Sequence, residues 1–236
     1  MSSLAFLQAG AAGNPTARSP MAADAAAAGA RMASREGWEV AVAFGEPEAE
    51  RRACSEAVAF ADLSHLGKLE IQGEAGAIAA ALGASLELGS ASSAGGAWLA
   101  AVTPRRALAI CPCAGTAAMR ERLEAERALH VLDLTCSLAA LAIVGPLARE
   151  AFARFCALDL RPAHMPVGAF RPGSAGRTPA YVLREGEQRY LLLFGAAYGS
   201  YMWSLLADVA GHLGGQPVGV EAIAAAAGET GGPADA

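Results

Sequence analysis

A chain of 236 residues is long enough to bury a substantial core, as one domain or as two closely packed lobes. Its net charge of −5, with acids and bases interspersed, offers no basic stripe and argues against nucleic acid as a partner. Hydrophobic residues make up 54% of it, but alanine supplies much of that share, and no apolar run reaches the roughly 20 residues of a membrane span.

The N-terminus lacks the basic segment of a signal peptide. Five cysteines, odd in number and irregularly spaced, do not read as a disulfide framework, so a reducing cytoplasm is the expected setting. Residues 1–19, rich in Ala, Gly, Ser and Pro, are expected as a flexible leader, 20–227 as the folded domain and 228–236 as a fraying tail.

Met21–Ala28 reads as a short Ala-rich helix ended by Gly29, and Trp38–Phe44 alternates like a strand closed by Gly45. Glu46-Pro47-Glu48 then opens a helix, because proline needs no amide partner in the first turn and acids suit its dipole. That helix is expected to run to about Val58 and deliver the chain into the turn Asp62-Leu63-Ser64-His65. Asp62 and Ser64 are expected to bond backbone amides of the turn, and Gly67 to supply a backbone other residues resist. Lys68–Gln72 alternates polar and apolar, which predicts a strand with one buried face.

Glu74–Leu82 reads as a helix ended by Gly83, and Ser85–Gly96 as a Ser/Gly/Ala-rich loop. Trp98–Thr103 and Ala107–Cys111 flank Pro104-Arg105-Arg106 as a hairpin, followed by an amphipathic helix over Thr116–Arg127 with Met119 and Leu123 on one face. Val131–Thr135 and Leu138–Val144 are apolar strands, the second punctuated by Gly145-Pro146 before a helix carrying Leu147, Phe152 and Phe155. Pro162–Gly176 is turn-rich, and Tyr181–Arg184 pairs with Tyr190–Phe194 across Glu185-Gly186-Glu187-Gln188. Tyr198, Met202, Leu205, Leu206, Val209 and Leu213 form the apolar stripe of a helix closed by Gly214-Gly215, leaving Tyr201 and Trp203 off the stripe. Interleaved helices and strands with two hairpins predict an α+β fold with antiparallel or mixed sheets.

Little in the residues themselves announces chemistry. Cys111-Pro112-Cys113 has no second pair to complete a zinc site, and His65, His130, His164 and His212 are scattered, so no metal centre is expected. No nucleophile elbow, phosphate-binding loop or dinucleotide fingerprint occurs.

Several segments, in order and spacing, are nevertheless similar to the folate-binding aminomethyltransferases. That superfamily includes the T protein of the glycine cleavage system and the short gamma subunit of heterotetrameric sarcosine oxidase. DLSHLGKLEIQG resembles the family's D-[LV]-S-H-[LM]-G-[KE]-[IL]-x-[VI]-x-G, and GWEVAVAFG its G-W-E-[VM]-P-[VL]-x-[YF]-G. AALAIVGPLA looks like A-x-[LI]-A-[LI]-x-G-P-x-A, and PVGVEAI like P-x-G-[LV]-x-A-[LI]. The resemblance implies small α/β lobes around a central opening for tetrahydrofolate. In catalytic members an aspartate, a glutamate of a G-[YF]-T-G-E-x-G-[YF]-E segment and a later arginine hold the cofactor. Carboxylates suit the N–H edge of a pterin, and arginine suits the folate tail.

Here Ser85–Trp98 holds no aspartate, YVLREGEQRY replaces the glutamate segment, and the later arginine falls among Ala224–Ala227. The resemblance therefore places any tetrahydrofolate contacts at Glu187, Tyr181, His65 and Leu66 and assigns no catalytic residue. It points most to a gamma-type, non-catalytic subunit with flavin- and folate-bearing partners in a sarcosine oxidase-type hetero-oligomer. The alternative is a stand-alone tetrahydrofolate-dependent aminomethyltransferase or methyltransferase using Glu187, Asp62 and His65. Tyr201 or Trp203 is expected to contribute to a subunit contact.

Overall fold

The computed structural model describes residues 16–228. In chain order the elements are β1 (Ala17–Arg18), α1 (Ala22–Ala27), β2 (Arg31–Arg35), β3 (Trp38–Ala43), α2 (Pro47–Glu56), β4 (Ala59–Asp62), β5 (Gly67–Gln72), α3 (Ala75–Leu82), β6 (Ala91–Ala94), β7 (Ala97–Thr103) and β8 (Arg106–Cys111). There follow α4 (Cys113–Glu124), β9 (His130–Asp133), β10 (Leu138–Val144), α5 (Ala148–Ala153), β11 (Phe170–Ala175), β12 (Thr178–Gly186), β13 (Arg189–Gly195), α6 (Gly199–His212), β14 (Gln216–Pro217) and α7 (Val220–Gly228). The fold is α+β with mixed and antiparallel sheets, as the pattern predicts.

The strands form three sheets: β1-β3-β2, β11-β12-β13-β10-β4-β14 and β6-β7-β8-β5-β9. Period-two alternation decides which core each strand feeds. On the six-stranded sheet, Phe60, Leu141, Ile143, Tyr190 and Leu192 face a core closed by Phe152 of α5 and by Met202, Trp203 and Leu206 of α6. The other face, with Leu183, Leu191 and Leu193, packs against Trp98, Ala100, Leu108 and Ile110 of the five-stranded sheet. That second sheet turns Leu69, Ile71, Leu99 and Ala109 toward Ile78 of α3 and Leu123 of α4.

Several sequence expectations need correction. Ala17–Arg18 pairs in parallel with Trp38-Glu39, inside the stretch expected as leader; residues 1–15 and 229–236 lie outside the described residues. The expected loop over Ser85–Gly96 contains β6, and the turn-rich Pro162–Gly176 contains β11, because tertiary pairing with β7 and β12 overrides weak local preference. β5 has two covered faces rather than one. Lys68 is 0% and Glu70 5% exposed, Lys68 lying where both links between the large sheets cross and Glu70 against Arg106. Gly67 needs no unusual backbone; a side chain there would meet Thr116 Oγ1 at 1.9 Å, so space is the constraint. On α6 the buried stripe takes in Trp203 and Ala210 and leaves Tyr198 exposed.

Candidate functional site

The turn between β4 and β5 carries the chain from one large sheet to the other, and its polar side chains build the crossing. The Asp62 carboxylate accepts the Ser64 amide at 2.9 Å, forming the turn as expected, while Ser64 Oγ accepts the Ala140 amide of β10 at 3.1 Å. The backbone amide that the Ser64 hydroxyl accepts thus comes from a neighbouring strand and not from its own turn. Lys68 donates from Nζ to the Ser64 carbonyl at 2.7 Å, and its own amide donates to Thr135 Oγ1 at 3.1 Å in the return link between β9 and β10.

Burial governs the protonation of this cluster. It pushes Lys68 down to about 8 against the opposing pull of Asp62 first and then Cys136, Asp133 and Cys113. It also holds the Asp62 carboxyl above its usual range, against hydrogen bonds from Ser19 and Ser64 and the charge of Lys68. His65, half-buried beside them, is pushed down to about 4 by burial, with Lys68 and Arg35 adding to the effect. Its imidazole is therefore neutral at pH 7.

Between the two large sheets, where the central opening is expected, Leu66, Trp98, Ile110, Pro112 and Glu185 close around a space of about 10 Å³. Glu185 lines it from β12, as the extra residue where the strand bulges between Arg184 and Gly186. It shares one face of the strand with Leu183 and Tyr181, whose ring stacks on Phe170 at 5.3 Å between centroids. The Glu185 side chain is 1% exposed; one oxygen accepts Arg189 Nε at 2.9 Å and the other has no hydrogen-bond partner. Trp98 Nε1, lining the same space, also lacks one. Arg189 in turn donates to the Ile223 carbonyl of α7 at 3.1 Å.

The four residues expected to contact folate do not converge. Leu66 lines the central space and Tyr181 lies on the strand face that borders it, but His65 belongs to the Lys68 cluster. Glu187 is exposed past the bulge and lines a separate crevice beside Gly145, with Arg149 and Arg184. Sequence reasoning missed Glu185 as the buried carboxylate, because it ended the strand at Arg184 and assigned Glu185 to the turn, whereas β12 runs on to Gly186.

Cys111 and Cys113 do not form a pair. Cys111 Sγ lies 3.5 Å from Thr116 Oγ1, Cys113 Sγ faces the Glu36 carbonyl at 3.7 Å, and burial raises both thiols. All five cysteines are free. Among the described residues no three His, Cys, Asp or Glu side chains are placed to hold a metal ion, and no helix is long and apolar enough to cross a membrane.

A chain of the heterotetrameric sarcosine oxidase from Corynebacterium sp. U-96, in complex with pyrrole 2-carboxylate, is similar in structure. It has a TM-score of 0.66 and 23% identity, covering 84% of this chain and 96% of that one. The glycine cleavage system aminomethyltransferase T from Bartonella henselae superimposes with a TM-score of 0.74 at 16% identity, covering 88% of this chain and 60% of that one. At such identities these likenesses show the fold. No curated protein matches the chain. The GCVT N-terminal domain family matches residues 109–233, more than half of the sequence. Together with the shared fold, that match establishes that the chain belongs to the family of GCVT N-terminal domains.

Proposed function

We propose that this chain is a non-catalytic, gamma-type subunit of a sarcosine oxidase-type assembly in the cytoplasm. Flavin- and folate-bearing partners would there carry the oxidative demethylation of an N-methyl amine such as sarcosine. The observation that carries this reading is the filled central space. Sites for drug-sized ligands or cofactors occupy about 300–1,000 Å³, whereas Leu66, Trp98, Ile110 and Glu185 leave about 10 Å³, room for one water. Glu185, ion-paired with Arg189, is one of the side chains that close this space, so the residues lining it leave no room there for tetrahydrofolate and no chemical step is derived through it. Coverage of nearly the whole of a chain from a heterotetrameric oxidase supports the subunit role.

Co-expression with candidate alpha and beta chains, read by size-exclusion chromatography, tests the proposal. Co-elution in one complex is expected, and a chain that stays monomeric beside all of them overturns it. Titration of tetrahydrofolate into the purified chain by calorimetry is expected to give no heat. Micromolar binding that is lost in Glu185→Gln or Glu187→Ala would favour the aminomethyltransferase alternative instead.

Trp203 takes no part in the proposed contact, since its ring packs edge-on against Phe60 at 5.1 Å and is 5% exposed. Tyr201 is 48% exposed, with its hydroxyl donating to the Gly176 carbonyl at 3.0 Å, and Tyr198 is 44% exposed on the same helical end. Exposed aromatics are preferred binding anchors, so Tyr201→Ser is expected to weaken the complex by about 2 kcal/mol. Unchanged affinity in that variant would remove α6 from the interface.

A further inference from the structure

The crevice beside the Gly145-Pro146 turn has a volume of about 360 Å³ and is lined by Arg149, Arg184, Glu187 and Gln188. Arg184 is 6% exposed, yet every hydrogen bond it makes goes to a neutral backbone carbonyl: Gly186 at 3.2 Å, Met165 at 2.8 Å and Glu187 at 2.9 Å. Its guanidinium also lies 5.8 Å from the centre of the Tyr190 ring. None of these partners is an anion. A guanidinium has five N–H donors, so one on each terminal nitrogen remains unused. A buried charge compensated only by dipoles is costly, and an incoming anion would relieve that cost.

Two further observations point the same way. Arg149, exposed at the start of α5, makes no hydrogen bond or ion pair among the described residues. Nearby arginines behave otherwise: Arg154 pairs with Glu150 at 3.0 Å and Arg161 with Asp159 at 2.5 Å. The Tyr190 hydroxyl, on a fully buried ring, has no hydrogen-bond partner, and both Arg184 and Arg149 oppose the burial that raises its pKa. The Glu187 carboxylate makes no ion pair with either arginine among the described residues, so the lining carries one net positive charge from two guanidinium groups and one carboxylate.

We propose that this crevice binds a small oxyanion, a phosphate or carboxylate group held between Arg149 and Arg184. The planar fork of arginine matches both chemistries, and Arg184 is already fixed in place by its three carbonyls. Glu187 at the rim limits the charge the site accepts.

Calorimetric titration of the full-length chain at low ionic strength, once with inorganic phosphate and once with succinate, tests this and separates the two sources. Binding of either anion is expected, weakened about tenfold in Arg149→Ala and strengthened in Glu187→Gln. Arg149 is exposed and makes no bond, so its removal leaves the fold intact, which far-ultraviolet circular dichroism verifies. Absence of heat with both anions, or affinity unchanged in Arg149→Ala, overturns the proposal. The readout comes from the isolated chain, so its outcome is independent of the subunit role.

Discussion

Lys68 shows how one residue can carry a fold's pH dependence. Its ammonium is 0% exposed, with one hydrogen bond to the Ser64 carbonyl and Asp62 as the foremost opposing charge. An ordinary lysine titrates at 10.5, and here the value is about 8. Below pH 8 both folded and unfolded chains carry the charge, and the fold bears the full penalty of burying it. Between 8 and 10.5 the folded chain has released its proton while the unfolded chain has not, so the penalty fades as pH rises. At roughly 1.4 kcal/mol per pH unit the swing is about 3 kcal/mol. Denaturant unfolding of wild type and Lys68→Met across this range should therefore show the difference moving in favour of wild type by that amount. The comparison cancels the titration of the cysteines, which both proteins share. A difference that stays flat from pH 8 to 10.5 would mean that Lys68 is not desolvated. The period-two pattern assigns Lys68 to solvent, because alternation records which residues are apolar and not what covers the opposite face.

At the scale of elements, α2 is held by a side chain whose role local sequence does not announce. Glu50 is 2% exposed and accepts three backbone amides, from Phe44 at 2.7 Å, Gly45 at 3.2 Å and Gly219 at 2.7 Å. It thereby ties the end of β3 and the entry to α7 to one helix. Glu50→Ala would strand those amides and is expected to cost about 3 kcal/mol in denaturant unfolding; Glu50→Gln, which keeps an acceptor, should cost less. A loss below about 1 kcal/mol in the alanine variant would show that water replaces the carboxylate. The elements legible in sequence are those with strong local grammar: the β7–β8 and β12–β13 hairpins, the proline-led start of α2 and the long apolar stripe of α6. β4, Ala59–Asp62, was hidden because all four residues are buried between β10 and β14, so no alternation marks it. β6 and β11 are Ser-rich and Pro/Gly-bearing segments that become strands only through their neighbours. Family-like segments around Asp62 and Gly145 fall where β4 and β10 end, whereas Glu185, read as part of the hairpin turn, belongs to β12, which runs on to Gly186. Gly145 is legible for a different reason. At φ +111° with Ala57 O 2.6 Å from where a Cβ would stand, it admits no side chain, and Gly145→Ala is expected to lower stability by about 3 kcal/mol. A thermal midpoint unchanged in that variant would contradict the close approach.

Across the whole molecule, the C-terminal segment closes what the earlier chain leaves open. β4 has β10 on one side, and among the described residues its other edge is paired only by β14, through Gln216 opposite Ala59 and Pro217 opposite Phe60. The approach is tight. A Cβ on Gly215 would stand 2.0 Å from the Val58 carbonyl oxygen and one on Gly219 1.9 Å from that of Val42, which only glycine permits. Beyond it, Val218, Val220 and Ile223 complete the core between the large sheets, Gly219 meets Glu50, and the Ile223 carbonyl receives Arg189 next to the central space. One short stretch thus covers a sheet edge, supplies apolar side chains and anchors the Glu185 ion pair. A chain ending after Leu213 would expose the amides and carbonyls of β4 on a strand whose side chains are all buried, the kind of edge that recruits other strands. We expect that truncated form to accumulate in the insoluble fraction on expression, while one ending after residue 228, which keeps β14 and α7, stays soluble and unfolds cooperatively. Soluble, cooperatively folding protein from the shorter form would show that the six-stranded sheet is complete without β14 and that the C-terminal segment is an accessory to the fold.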